Sequence, residues 1–529
     1  MILSPLQQDL AKFDSELIRL GESPRYWHLN ALESWYTGQQ YTGRPSFWDQ
    51  EVPLRSRAPV IQSQFVRSSI NRLANLVFGD RSFPRMRVEA TGYRMTLSPS
   101  DVAVLQRLVA ELGQCLAISK KMREVITEGL KCGSACILIS LCNGKPMMRL
   151  VPSKWCTPTF AADGSVESLV IEYKHPSPTD PDQWMMHRRE ITSTYDRVYD
   201  SVPIKAKVAP VFGDYQEVPV EFCPVIWVRN AAEPTATPDQ IDGHALVDGL
   251  QDEVEALDME LSQLYRNALY NGDPQMVQIG VEGDASIAAS QGPKGPTGDM
   301  KFSWFNSVLP NWAKNANSSG GDAVKKAPGK LWKLPQGGDA KLVESNGSGA
   351  EIIKGAVKEI RRVLTDSTGV VLFDADSLGG GDLAARTLNL MHAPMLDVAD
   401  NLRVEYGDAL LRLVDAFLHL FSGTLARTQG VLLRSYDEAE PVLARLYGVN
   451  SQQEARWLGP NITLKWGDYF DPSSADKEAA LKAAMTASGN KPLITAKTAL
   501  ASVATLFGIE DVEAELANAN ANENDTPTP

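Results

Sequence analysis

A helix-dominated α+β fold is what this sequence predicts, on three observations. Apolar residues recur at spacings of three and four along 247–268 and 388–417, the period of a helix with one packed face. Between 134 and 230 the pattern changes to alternation, punctuated by Asn143-Gly144 and Asp163-Gly164, the signature of antiparallel hairpins. A chain of 529 residues, 43% of them hydrophobic, also has enough apolar side chains for about three or four compact units.

Residues 5–40 carry helical periodicity that ends at "LESWYTGQQYTG", where Gly38 and Gly43 break it. "APVIQSQFVRSSINRLANLVFG" (58–79) reads as a second helix: Val66, Ile70, Leu73 and Val77 share a face, Arg67 and Arg72 lie on the polar side, and Gly79 is the stop. A third helix over 102–131 runs into the strand "ACILISL", the turn "CNGK" and the strand "PMMRLVP". "AADGSVESLVIEYKH" repeats that logic, and strand-like pieces continue to "VPVEFCPVIWVRN" (218–230).

After the loop "AAEPTATPDQ", a helix is expected over 242–270, with Val247, Leu250, Val254, Leu257, Leu261, Leu264 and Ala268 as a narrow seam of coiled-coil type. Asp248, Asp252, Glu253, Glu255, Asp258 and Glu260 make its remaining surface acidic. Such a seam packs either within the chain or between subunits, and the pattern alone does not choose. Residues 273–347 turn to Gly, Pro, Ser and Lys, an exposed loop region with a few strands, "LWKLP" among the candidates; "GPKGPTGD" holds too few triplets for a collagen helix.

The next helix, 350–365, has Ile353, Val357, Ile360 and Leu364 as its apolar stripe; Lys354, Lys358 and Arg361 line another face with Arg362 beside them. A helix over 382–421 follows, with Leu388, Met391, Met395, Val398, Leu402, Tyr406, Leu410, Leu413 and Phe417 in register and a kink expected at Pro394. Beyond 422 the chain reads as irregular until "NITLKWGDYF" (461–470), which alternates like a strand. A helical unit then leads to the polar tail "ANANANENDTPTP", expected to be disordered.

Lys and Arg number 52 against 65 Asp and Glu, a net charge of −13, so any grip on nucleic acid must be local. No run approaches the roughly 18 apolar residues of a membrane span, and the N-terminus lacks the basic-then-apolar plan of a signal peptide; the expectation is a soluble chain with no membrane partner. Cys115, Cys132, Cys136, Cys142, Cys156 and Cys223 are too sparse for a disulfide framework, which fits a reducing cytoplasm. Their spacing matches no zinc pattern; instead Cys136, Leu138, Ser140 and Cys142 fall on one face of a strand. The six histidines are scattered, and no catalytic residue, metal or cofactor is expected.

"DADSLGGGDLAAR" (374–386) is the one stretch that invites chemistry. A calcium loop begun at Asp374 keeps Asp376 and Gly379 in register but fails at Leu378 and Ala385, where oxygen ligands are required. A phosphate cradle fails at Asp382, which follows Gly381 where a lysine is needed. Asp374, Asp376 and Asp382 could together hold the ions of a two-metal nuclease, although no lysine or histidine stands by as a base. What remains is an acidic loop jointed by Gly379, Gly380 and Gly381, with Asp382 suited to cap the next helix.

In its order of parts the chain resembles the portal protein, or head-to-tail connector, of tailed bacteriophages. "LESWYTGQQ" looks like the early helix end of portals, "APVIQSQFVRSSINRLANLVFG" like their next helix, "EGLKCGSACILIS" like their helix-to-strand transition, and "FCPVIWVRN" like the strand before the stem. "SADKEAALKAAMTASGNKPLITAKTALA" is similar to the start of the crown. The resemblance implies an α+β wing over 1–240, a first stem helix over 241–272, a clip over 273–347 and a second stem helix over 348–365. It further implies a tunnel loop over 366–381, a long kinked wing helix with a returning strand over 382–470, and a helical crown over 471–529. Residues 423–460, and the "GPKGPTGD" and "NSSGG" loops, depart from the simplest portals.

By that resemblance the chain forms a homo-oligomeric ring, usually of twelve subunits, at one vertex of a capsid. Double-stranded DNA is packaged and ejected through it without sequence-specific contacts. Lys354, Lys358, Arg361 and Arg362 would face that DNA, and the seam from Val247 to Leu264 would join stem helices of neighbouring subunits. The implied partners are the terminase large subunit, neck, adaptor or tail proteins, and major capsid and scaffolding proteins. The implied locations are the virion and, during assembly, the host cytoplasm. ATP hydrolysis would belong to the terminase, leaving this chain no enzyme. Another phage structural component, such as a baseplate or minor head protein, is the alternative, with the nuclease behind it.

Overall fold

The computed structural model describes residues 23–271 except 50, 81, 92–95, 163, 181, 205–209 and 231–239, then 275–279, 339–343, 348–371, 392–447, 462–467, 469, 474–488 and 494–517 except 508, 510–511 and 514. Helices and strands both contribute, an α+β mix as expected. Two compact units are formed: one comprises Met1–Leu257 with Ile360–Pro529, the other Asp258–Glu359.

In the first unit, α1 (Pro24–Thr37) starts where the Ser23 hydroxyl accepts the Tyr26 amide at 3.2 Å, with Pro24 in its first turn. Helix α2 (Phe65–Phe78) buries the whole expected stripe of Val66, Ile70, Leu73 and Val77. Strand β1 (Arg85–Val88) precedes α3 (Pro99–Leu116), whose capping box joins Ser98 and Asp101. The single helix expected over 102–131 is in fact two, because Ala117 is left-handed (φ 50°) between α3 and α4 (Ile118–Cys132). Among the described residues no single helix is long and apolar enough to cross a membrane.

Strands β2 (Ser134–Cys142) and β3 (Lys145–Val151) form the expected hairpin, with Asn143 (φ 49°) and Gly144 (φ 76°) supplying the positive φ pair of a two-residue turn. Next come β4 (Cys156–Phe160), β5 (Val166–Pro176), β6 (Trp184–Thr192), β7 (Tyr195–Tyr199), β8 (Val202–Pro203), β9 (Tyr215–Pro219) and β10 (Val225–Arg229). They make two antiparallel sheets, one ordered β10-β2-β3 and one ordered β4-β5-β6-β7-β9 with β8 on β6. Cys136, Leu138, Val225 and Trp227 of the first sheet share one buried cluster with Cys156, Leu169, Ile171 and Ile191 of the second. Cys136 and Leu138 thus point inward together, as the period-two reading requires; Cys142, at the hairpin's end, is exposed.

The chain continues into α5 (Gln251–Asn271), not from 242 as the spacing predicts. Gly249 is left-handed (φ 82°), so Val247 and Leu250 precede the helix and do not lie on it. In the second unit β11 (Gln275–Ile279) pairs antiparallel with β12 (Asp339–Val343); "LWKLP", "GPKGPTGD" and "NSSGG" lie outside the described residues. Helix α6 (Ser348–Thr368) carries the chain back, three residues longer than the expected 348–365.

Asp374, Asp376, Gly379, Gly380, Gly381 and Asp382 lie outside the described residues, as do Leu388 and Met391. The kink expected at Pro394 involves residues 382–391, which lie outside the described residues; helix α7 (Ala393–Ser422) has Pro394 in its first turn. A proline there has no intrahelical partner to lose and its fixed φ suits a helix start. Of the rest of the stripe, Met395, Leu402, Tyr406, Leu410, Leu413 and Phe417 are buried and Val398 is half-buried.

The stretch after 422, expected to be irregular, holds α8 (Thr424–Gln429) and α9 (Tyr436–Tyr447). Pro441 inside α9 disguises it, yet Tyr436, Ala439, Val442 and Leu443 make a buried face that packs on α3 and α7. Strand β13 (Ile462–Lys465) pairs antiparallel with β1, joining segments far apart in the sequence. Helices α10 (Ser474–Ser488) and α11 (Ala496–Phe507) pack together as a hairpin.

Candidate functional site

Around the loop that leads into α5, buried and half-buried polar groups collect. Asn230, just past β10, donates from Nδ2 to the carbonyl oxygens of Gly129 (2.8 Å) and His244 (2.9 Å), and its Oδ1 accepts from the Tyr406 hydroxyl at 2.6 Å. One amide therefore ties α4, α7 and the loop before α5. The fit depends on glycine: a Cβ at residue 129 would sit 1.7 Å from the Tyr406 hydroxyl oxygen, and one at Gly243 only 2.1 Å from the Asn230 carbonyl oxygen. Burial pushes the Tyr406 hydroxyl's pKa far up, so it stays a donor.

A second set of bonds grips the same loop from α1. The Arg25 guanidinium binds both oxygens of Asp242 (2.5 and 2.8 Å) and donates to the carbonyls of Cys156 (2.6 Å) and Ser153 (3.1 Å). Ser134 donates to Asp242 as well, at 2.5 Å. Arg44 holds Glu255 with two bonds of 2.6 and 3.0 Å, and His28 meets Asp248 at 3.2 Å. Nearby, Lys131 pairs with Glu128 at 2.7 Å and approaches Glu33 at 3.6 Å, while Lys154 also bonds Glu33. Burial acts to raise the Glu33 carboxyl, but Lys154 and Lys131 outweigh it and hold it below the usual range. Burial likewise works against the Lys131 ammonium, and Glu128 more than restores it. Every charge in this group has its opposite, the arrangement of a structural joint.

Cys136 and Cys156 are both fully buried; the Cys136 thiol's pKa stands well above its ordinary value, first through its hydrogen bond with Cys156 and then through burial. Among the described residues no group of three or more His, Cys, Asp or Glu is arranged to hold a metal ion. Asp374, Asp376 and Asp382 of the nuclease reading lie outside those residues.

The two helices that leave and return have a different character. On α5, Val254 and Leu257 are buried, Leu261 and Leu264 are half-buried, and Tyr265 and Leu269 are 40% and 50% exposed. On α6, Leu364 is buried but Ile352 is 74% and Val363 48% exposed. Lys354, Lys358, Arg361 and Arg362 are all exposed along α6, and the first three, four and three residues apart, form one stripe. Lys354 pairs with Glu351 at 3.1 Å and Arg362 lies 3.7 Å from Asp366.

Counting the carboxylates changes the sequence-based picture of this face. Helix α6 has four cations against Glu351, Glu359 and Asp366, a net charge of +1; α5 has Arg266 against Asp252, Glu253, Glu255, Asp258 and Glu260, a net charge of −4. The returning helix is basic mainly by contrast. No protein-family model matches the chain, and no curated protein matches it.

Proposed function

We propose that this chain is the subunit of a phage portal: a ring at one capsid vertex through which double-stranded DNA is packaged and ejected, and on which terminase and then neck or tail proteins dock. The observation that carries this reading is the pair of helices α5 and α6. They lead out of and back into an α+β unit, and both keep large apolar side chains uncovered: Tyr265 and Leu269 on one, Ile352 and Val363 on the other. Exposed apolar residues of this size, repeated along helices, are ordinarily covered by a partner. In a ring each subunit covers its neighbour through a head-to-tail contact, which closes without leaving an unfilled end.

The charges fit passage without capture. A net charge of −13 per subunit keeps most of the surface repellent to DNA, and the exposed Lys354, Lys358, Arg361 and Arg362 offer contacts to phosphate that read no sequence. The buried joint around Asn230, Arg25 and Asp242 holds the loop before α5 in place within the α+β unit. On this reading the chain performs no covalent chemistry.

Negative-stain electron microscopy of the purified protein tests the reading: rings with a central channel are expected. Particles without a channel would favour a baseplate or minor head protein instead. Metal-dependent cleavage of DNA by the purified protein would move the reading to the nuclease.

A further inference from the structure

Three ion pairs reach from one short stretch of the first unit to the start of the outgoing chain: Arg25 to Asp242, His28 to Asp248 and Arg44 to Glu255. The carboxylates are spaced by six and seven residues, so they sample the whole approach to α5 and its first turns. Two of the cations are arginines with doubly bonded partners, charged at every accessible pH. The middle one is histidine. We propose that these pairs form a clamp on the start of α5, and that His28 makes it tighten in mild acid and loosen in mild base. The proposal does not depend on the ring reading.

The surroundings of His28 favour this behaviour. From the facing loop it meets Asp248 at 3.2 Å with Asp242 farther off, and His244 stands near Asp248. On its own helix Arg25 lies one turn earlier and is held by Asp242. Helix α4 and the turn Ser153–Trp155, which also pack on α1, present Lys131 and Lys154, both engaged by Glu33. Helix α2 meets α1 through Asn71, which accepts from the Tyr36 hydroxyl, and its Arg72 donates to the Val371 carbonyl.

The hydrogen bond to Asp248 is the largest influence on His28 and raises its pKa, with partial burial opposing; the same bond lowers that of Asp248. The pair's contribution is therefore complete below the ordinary imidazole value of about 6.5 and fades as pH rises through the raised value. At the acid end it fades only once Asp248 itself is protonated, below the ordinary carboxylate range.

The test is hydrogen–deuterium exchange of peptides covering 242–257 in the full-length protein, at about pH 5.5 and about pH 8.5, corrected for the intrinsic pH dependence of exchange. Because the pair is about half exposed, wild type is expected to exchange about 1.5- to 5-fold more slowly at the lower pH. His28→Gln and Asp248→Asn should each abolish that ratio, and His28→Arg should slow exchange equally at both pH values. The same ratio in wild type and either of the first two variants, or no ratio in wild type, overturns the proposal.

Discussion

Helices α4 and α6 each carry an apolar stripe opposed by charges, and the structure covers them to different degrees: on α4 the stripe is buried at Ile118, Met122, Val125, Ile126 and Leu130, on α6 it is half-buried at Ile353, Val357 and Ile360 and buried only at Leu364. On α4 two of the six charged residues go inside: Glu128 and Lys131 are buried and answer each other at 2.7 Å, and Gly129 lets Tyr406 of α7 come into contact. On α6 the apolar residues Ile352 and Val363 stay outside beside exposed lysines and arginines. Amphipathic periodicity thus tells that a helix has a face to cover, and only packing tells whether the chain covers it itself.

Substitutions on the two helices should separate these roles. Gly129→Ala should have the largest effect on the chain's own stability, because a methyl group placed 1.7 Å from the Tyr406 hydroxyl forces a backbone shift and breaks the Asn230 bond. A loss of about 3 kcal/mol or more is expected in urea unfolding. Tyr406→Phe keeps the shape but leaves the Asn230 Oδ1 acceptor unpaired in the core, and should cost about 1–3 kcal/mol by the same measurement.

Ile352→Asp sits at the other pole. With 74% of the residue already exposed, it should change subunit stability by no more than about 0.5 kcal/mol, while light scattering shows assemblies falling to single subunits. Equal loss of stability and assembly would mean that α6 is merely part of the core. The subtlest change is the double charge reversal Lys358→Glu with Arg361→Glu. Its expected signature is a shallower salt dependence of double-stranded DNA affinity, the slope falling by about one for each phosphate that is no longer neutralised.

The helices were legible because their signal is local: Val66, Ile70, Leu73 and Val77 lie within one dozen residues and are all buried. The hairpin at Asn143-Gly144 was legible for the same reason, its turn being encoded in two residues. The buried joint was not legible. Arg25 and Asp242 are 217 residues apart, Asn230 and Tyr406 176, and no spacing rule connects them. A helical glycine such as Gly129 looks ordinary until its neighbour is known.

The misreadings have equally specific causes. Apolar spacing runs across Gly249, so the pattern carries a helix through a point where left-handed backbone geometry starts it afresh. Pro441 had the reverse effect, hiding a helix whose tertiary contacts outweigh one missing hydrogen bond.

The central claim is that α5 and α6 carry apolar surface meant for neighbouring copies. Native mass spectrometry of the purified full-length protein beside Ile352→Asp tests it most directly. The account predicts wild-type particles whose mass is a high, fixed multiple of the 57.8 kDa chain, and a variant that stays at one chain. Wild type found only as a 57.8 kDa species over the whole accessible concentration range would contradict it.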